Sequence, residues 1–324
     1  MTPEQLSEPR TRSSFRAKLL RWYDRNRRDL PWRKTKDAYR IWVSEVMLQQ
    51  TRVGAVLDHY RRWFERFPTV EALARAREQS VLAAWSGLGY YRRARNLHAA
   101  AKVVVFEREG KFPATAEGLR ELPGIGRYTA AAIASIAFSE RAAVVDGNVE
   151  RVLQRVTGNA NLSSAQTWQL AEDLIAPKRP GDFNQAMMEL GATVCTPREP
   201  KCLVCPVIDF CGTRGAPKRA TKQARKAVPI SYAFATKNDS VLLIQRARDA
   251  SLMAGMWELP HHAPSPGEEP AAQFRHAILE TNYEVTIYTA NVTTENGHWI
   301  RTSRLPQLAL TGLARKVLRH FQFL

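Results

Sequence analysis

The nine residues Leu122-Pro123-Gly124-Ile125-Gly126-Arg127-Tyr128-Thr129-Ala130 decide the fold. They separate two stretches of helical periodicity, 115–121 and 127–138. Gly124 and Gly126 permit positive φ and leave backbone N–H groups at the start of the second helix facing an anion. That is a helix-hairpin-helix geometry, which holds a phosphate without reading sequence. Taken alone, Pro-Gly-x-Gly is more often an ordinary turn. The surrounding charge reverses that preference. The 324 residues carry a net +17, of which residues 1–211 hold +10 and residues 229–324 only +1. The remaining +6 lies in residues 212–228, which contain no acid. A pI near 10.1 points to a polyanionic partner, and its field belongs to the first 211 residues.

Working outward, the texture changes at the basic stretch. Before it, apolar residues recur at helical spacing, as in Val149, Val152, Leu153 and Val156, or Ala131, Ile133, Ala134 and Ile136. After it come β-rich runs at 240–245 and 283–288, then a helical stretch from Leu313. The expected organisation is an all-α domain over 1–211, a linker over 212–228 and a smaller α+β domain over 229–324. The linker lies along phosphates or is a solvated tether; composition leaves both open. No apolar run approaches the ~18–20 residues of a membrane span. The N-terminus is polar and Arg-studded, without a secretory signal. A membrane or secreted protein is therefore not expected, and the expected location is cytoplasmic, with the nucleoid.

All four cysteines fall in one loop, Cys195-x6-Cys202-x2-Cys205-x5-Cys211. Such a set suits a [4Fe–4S] cluster or a structural zinc. Zinc ribbons generally use two C-x2-C knuckles and only the middle pair here has that spacing, which favours iron–sulfur. Pro197, Pro200 and Pro206 stiffen the loop, and no redox machinery surrounds it, so a structural role is expected.

Two carboxylates stand out. Glu45 lies among Trp42, Val43, Val46, Met47 and Leu48, a helix too apolar to be a solvated face. Burial there disfavours the charged form and suits a general acid at neutral pH. Asp146 follows the apolar 142–145 and precedes the helix from Val149, an N-cap position that favours the anion. One carboxyl kept neutral and one ionised is the division of labour of glycoside cleavage. A structural buried glutamate and a plain capping aspartate are the alternative.

The hairpin run, then 145–152 (Val-Asp-Gly-Asn-Val-Glu-Arg-Val), then the cysteine loop, resemble the endonuclease III superfamily of DNA glycosylases. Within it, 42–51 (Trp-Val-Ser-Glu-Val-Met-Leu-Gln-Gln-Thr) and 87–96 (Gly-Leu-Gly-Tyr-Tyr-Arg-Arg-Ala-Arg-Asn) resemble the A/G-specific adenine glycosylases, the MutY family. The resemblance runs from about Leu19 to Cys211. It implies a helix-hairpin-helix glycosylase core whose cysteines hold a [4Fe–4S] cluster. It implies that Glu45 protonates N7 of a flipped adenine and that Asp146 stabilises the oxocarbenium-like sugar. Tyr128 and Asn148 would line the same pocket. Gln50, Thr51 and Tyr90 would contact or wedge into DNA, Gly124 and Gly126 would hold its backbone, and Arg28 and Arg33 would touch pocket or phosphate. Relatives with strand-cleaving lyase activity place a lysine at position 128; Tyr128 cannot form a Schiff base, so the expected enzyme is monofunctional. The implied partner is duplex DNA with A:8-oxoguanine or A:G mispairs, bound by a monomer.

After the linker, Gly255-Met-Trp-Glu-Leu-Pro260 resembles the strand signature of the Nudix fold. The Glu-rich helix that would hold Mg²⁺ there is absent, because Glu268-Glu269 is followed by Pro270-Ala-Ala-Gln-Phe. The C-terminal α+β domain is therefore read as a Nudix-like lesion-recognition module. His261 and His262 are read as loop residues. One departure stands out: where the family reads 8-oxoguanine with a Ser/Thr and a His, counting from His276 gives Leu279 and Glu280. Thr281 and Asn282 could serve after a register shift, since each carries a donor and an acceptor. Two other functions compete with adenine excision. An endonuclease III-like glycosylase/lyase on oxidised pyrimidines is opposed by Tyr128, and a non-catalytic iron–sulfur DNA-binding protein requires Glu45 or Asp146 to be misplaced.

Overall fold

The computed structural model describes residues 8–215, 227–250, 252–278, 281–289 and 296–324. Most of the expected linker, and both Leu279 and Glu280, lie outside the described residues. The chain folds into two compact units, Met1–Ala74 with Ala99–Arg219, and Arg75–His98 with Ala220–Leu324.

The first unit is helical. The runs Pro9–Asn26, Ala38–Leu48, Val53–Arg66, Arg127–Ala137, Gly147–Thr157, Ser164–Leu174 and Pro180–Thr193 are its longer helices. Their ends follow local chemistry. Proline opens Pro9–Asn26 and Pro180–Thr193, where its missing N–H costs nothing. Asp37 accepts a hydrogen bond from the Arg40 N–H, and Ser163 with Gln166 forms a reciprocal capping box. Gly158, at φ +70°, terminates Gly147–Thr157 in the left-handed conformation that favours glycine. The valines and leucine at 149, 152, 153 and 156 are all buried, as their spacing predicts. They pack with Phe15, Leu19, Tyr23, Phe183 and Leu190 into one core.

The hairpin is present between Ala116–Arg120 and Arg127–Ala137. Its glycines differ from expectation. Gly124 has φ +74°, which an L side chain would resist, but Gly126 caps the second helix at φ −87° and ψ 176°, ordinary extended backbone. A Cβ at Gly126 would meet nothing within 4 Å. What glycine supplies there is open space at the helix N-terminus, not a special dihedral.

Among the described residues the second unit carries two sheets. Strand β1 (Ala227–Ala233) runs parallel to β6 (Thr281–Tyr288), which pairs antiparallel with β5 (Ala272–Ile278). In the other sheet β3 (Ser240–Gln245) lies between β2 (Thr236–Lys237), β4 (Trp257–Glu258) and β7 (Gly297–Arg301), all antiparallel. Tyr232, Leu243, Leu259, Ile287 and helix Gly312–His320 enclose its core. Residues 75–98 belong to this unit. Ser86 Oγ and Tyr91 Oη both donate to the Leu310 carbonyl, at 3.3 and 3.0 Å. The grouping in space thus differs by one segment from the order along the chain.

Candidate active site

Helix Ala38–Leu48 is buried over most of its length, with Ile41, Trp42, Val43, Val46 and Met47 in the core, so it carries Glu45 into the interior at 6% exposure. Glu45 Oε2 accepts a hydrogen bond of 2.8 Å from Tyr128 Oη. Tyr128 is the second residue of the helix that follows the hairpin. The turn that would grip a phosphate therefore also sets the hydroxyl that orients Glu45. Burial first, and the nearby Asp146 charge, push the Glu45 carboxyl up to about 7, against the pull of Tyr128 and Arg33. The Tyr128 hydroxyl is held well above its ordinary value by burial and by the two carboxylates.

Asp146 caps helix Gly147–Thr157 as the sequence predicts. Its Oδ1 accepts from the N–H groups of Asn148 and Val149 at 2.9 and 2.8 Å, and its Oδ2 from Asn148 Nδ2 at 2.9 Å. Asn148 is itself fixed, because Arg151 Nη2 donates to its Oδ1 at 2.7 Å. The same arginine donates to the carbonyls of Gly191 and Cys195, both at 2.9 Å. A Cβ on Gly191 would come within 2.6 Å of Asn148 Cβ, so glycine is what lets the two segments touch.

Glu45, Tyr128, Asp146 and Asn148 line one cleft of about 610 Å³, within the range of ligand sites. Gln50, Thr51, Arg28 and Arg33 line it too. Gln50 has φ +55°, a strained conformation for a side-chain-bearing residue at the mouth of a site. Arg28 and Arg33 converge on Glu189, which is fully buried. Arg28 donates from Nε and Nη2 at 2.8 and 2.7 Å, and Arg33 from Nη2 at 2.7 Å. Burial alone would raise the Glu189 carboxyl, but the two guanidinium groups outweigh it and hold the value down at about 2. The arginines are thus walls of the cleft. Tyr90 belongs to the other unit; it stands at φ +48°, 41% exposed, with Arg93 over its ring at 5.5 Å.

Glu189, Gln185, Met188 and Arg151 are cleft or support residues that sequence reasoning missed. The signal for Glu189 was available, a lone acid in the run 183–190 (Phe-Asn-Gln-Ala-Met-Met-Glu-Leu).

The four cysteines follow helix Pro180–Thr193, each partly buried. Burial and the other three thiols push the Cys205 thiol up to about 11, so the four share one neighbourhood. Among the described residues no trio closes on a single point in the manner of one metal ion. Donors already face the sulfurs. Arg155 Nη1 lies 3.3 Å from Cys195 Sγ and the Arg214 N–H 3.4 Å from Cys211 Sγ. Four thiols with N–H donors around them fit a thiolate-held cluster.

Residues 43–177 match the HhH-GPD superfamily of base excision DNA repair proteins. The chain is 46% identical to adenine DNA glycosylase of Mycolicibacterium smegmatis over 65% of its own length and 73% of that protein. The chain belongs to the adenine DNA glycosylase family. It is 41% identical to the Rattus norvegicus member over 82% of this chain, and spans 63% of that relative's length. Among solved structures, a thermostable thymine-DNA glycosylase superposes with a TM-score of 0.59 at 33% identity, covering 63% of this chain and 96% of the other. These matches agree with the helical core described above. No helix among the described residues is long and apolar enough to cross a membrane.

Proposed function

We propose that the protein is a monofunctional adenine DNA glycosylase acting on A:8-oxoguanine and A:G mispairs in duplex DNA. One observation carries the reading: a buried glutamate held near neutrality and a capped aspartate share one cleft in a chain of this family. Glu45, which burial keeps able to carry a proton near neutral pH, donates that proton to N7 of an adenine turned out of the stack, which improves the leaving group. Tyr128, donating to Oε2, holds the Glu45 carboxyl in place. Asp146, held by three N–H groups, presents its carboxylate to the cationic sugar, and Asn148 keeps it aimed. Water then completes hydrolysis. Position 128 offers a phenol already bonded to Glu45 and no amine, so no Schiff base forms there.

Cys195, Cys202, Cys205 and Cys211 would hold a [4Fe–4S] cluster. Bound there, it would crosslink the loop structurally. The hairpin amides at Gly124 and Gly126, with Gln50, Thr51 and Tyr90, bind or wedge the DNA, and a monomer in the cytoplasm, at the nucleoid, suffices. The order of domains along the chain is a glycosylase core to Cys211, a basic linker and a Nudix-like module from 229. In that module Thr281 and Asn282 open β6, partly exposed and exposed. They would replace the missing Ser/His pair in reading 8-oxoguanine, with weaker discrimination against A:G.

The test is single-turnover excision on duplexes with A opposite 8-oxoguanine, G, C and T. The expected product is an intact strand bearing an abasic site, with A:8-oxoguanine fastest. Efficient borohydride trapping with strand cleavage would overturn the monofunctional reading. A preference for 8-oxoguanine untouched by Thr281→Ala plus Asn282→Ala would remove those residues from recognition.

A further inference from the structure

Helix Pro180–Thr193 uses different faces for different tasks. Gln185, Met188 and Glu189 face the cleft. Asn184, 3% exposed, faces away from it toward the segment that leads to Asp146. That segment, 141–146, is neither helix nor strand, yet Ala143 and Val144 are buried at 5% and 1% exposure. Buried irregular backbone has polar groups that no ladder satisfies, so partners must come from elsewhere. Asn184 supplies two of them. Its Nδ2 donates to the Ala142 carbonyl at 2.8 Å and its Oδ1 accepts from the Val144 N–H at 3.2 Å. Ser135 Oγ takes the other amide hydrogen at 2.9 Å.

The pattern is that of a sheet. A carbonyl and an N–H flanking one residue are the two groups that a neighbouring strand would engage. Here one side-chain amide engages both, across Ala143. A carboxylate could not reproduce this, since it has no hydrogen to donate, and a shift of the segment by one residue would leave both bonds unmade. Val145 alone separates this fixed register from Asp146.

We propose that Asn184 is a positioning residue for the glycosylase reaction, a one-residue substitute for a β-ladder that sets where Asp146 stands in the cleft. The inference rests on the roles assigned above to Glu45 and Asp146. Asn184 touches neither the reacting atoms nor the DNA. Its effect on the reaction passes through the backbone.

The experiment compares wild type, Asn184→Ala and Glu45→Gln in the full chain, reading single-turnover rate, duplex affinity and the pH profile of the rate. Asn184→Ala should lose roughly 10–100-fold in rate, the scale of an ångström of misplacement. Its affinity for the duplex should change less than about threefold, because its phosphate contacts are intact. The alkaline limb should also move to lower pH. Tyr128, Arg33 and Asp146 are the groups acting on Glu45, and only Asp146 among them adds to the rise in its carboxyl. An Asp146 that has drifted raises it less. A folded Asn184→Ala with wild-type rate and limb overturns the inference, as does a parallel loss of rate and affinity with the limb unmoved. If circular dichroism shows that the alanine variant does not fold, Asn184→Ser takes its place. A smaller shift of the limb in the same direction supports the inference, and an unmoved limb overturns it. Retained activity in Glu45→Gln would instead overturn the acid assignment, whatever Asn184→Ala does.

Discussion

Two glutamates on two walls of one cleft are buried to nearly the same degree and end in opposite states. Glu45, on helix Ala38–Leu48, meets a neutral phenol and a like charge, and its carboxyl rises to about 7. Glu189, on helix Pro180–Thr193, meets two guanidinium groups, and its carboxyl falls to about 2. Burial penalises the charge in both, and the partners decide the outcome. One wall is left able to give a proton at neutral pH. The other is locked as an anion that anchors Arg28 and Arg33.

The contrast breaks most readily at Glu45. Glu45→Gln fills the same space and cannot donate the proton, so single-turnover excision should drop by roughly 10²–10⁴-fold with duplex binding kept. A variant within threefold of wild type would dissolve the distinction between the walls.

Glu189→Gln attacks the other side. It leaves the buried Arg33 head without its counter-charge, which costs about 3 kcal/mol for such a pair, less the share of the more exposed and solvent-screened Arg28. Denaturant titration should show a lowered midpoint with unchanged slope. A midpoint equal to wild type would mean that the charge network carries no stability.

The third effect is smaller and has a sign. Because its folded-state value is raised, Glu45 contributes stability that is fully present below the unfolded carboxyl range and lost as pH rises through about 7. Glu45→Gln should therefore be more stable than wild type at pH 8, by up to roughly 3 kcal/mol, and no more stable at pH 4. Glu189 behaves in reverse. Its contribution holds above the unfolded range and is lost only as pH falls toward 2. Melting curves of the wild type and both variants across pH 2–8 check both slopes.

The smallest effect lies in the hairpin behind Tyr128. Gly124→Ala, at positive φ, should cost about 1 kcal/mol, and Gly126→Ala, at ordinary φ in open space, close to nothing. Equal melting temperatures for the two would refute that difference.

Much of the cleft was legible in the sequence, for local reasons. The helical period placed the valines of 149–156 in the core, the residue before that helix gave its cap, and the apolar neighbours of Glu45 gave its burial. What was not legible depended on residues distant in the chain. Glu189 reads as a stray acid until Arg28 and Arg33, more than a hundred positions earlier, close on it. Gly126 looks like a second positive-φ glycine, and only the backbone shows that its missing side chain leaves room rather than relieving strain. The placement of 75–98 shows in the bonds from Ser86 and Tyr91 to the carbonyl of Leu310, which no local pattern could announce.

That last bond changes what a dissection of the molecule can mean. A protease nick in the stretch between 215 and 227 would cut one covalent path, but the piece beginning at 227 would still hold the turn around Tyr91 through Leu310. The fragments would co-elute. A gene truncated before 227 is a different object, for it would remove the Leu310 carbonyl to which Ser86 and Tyr91 donate and turn a buried surface of the remaining protein outward. Comparing the nicked chain with the truncated one therefore separates the loss of a module from the injury done to the segment it was covering.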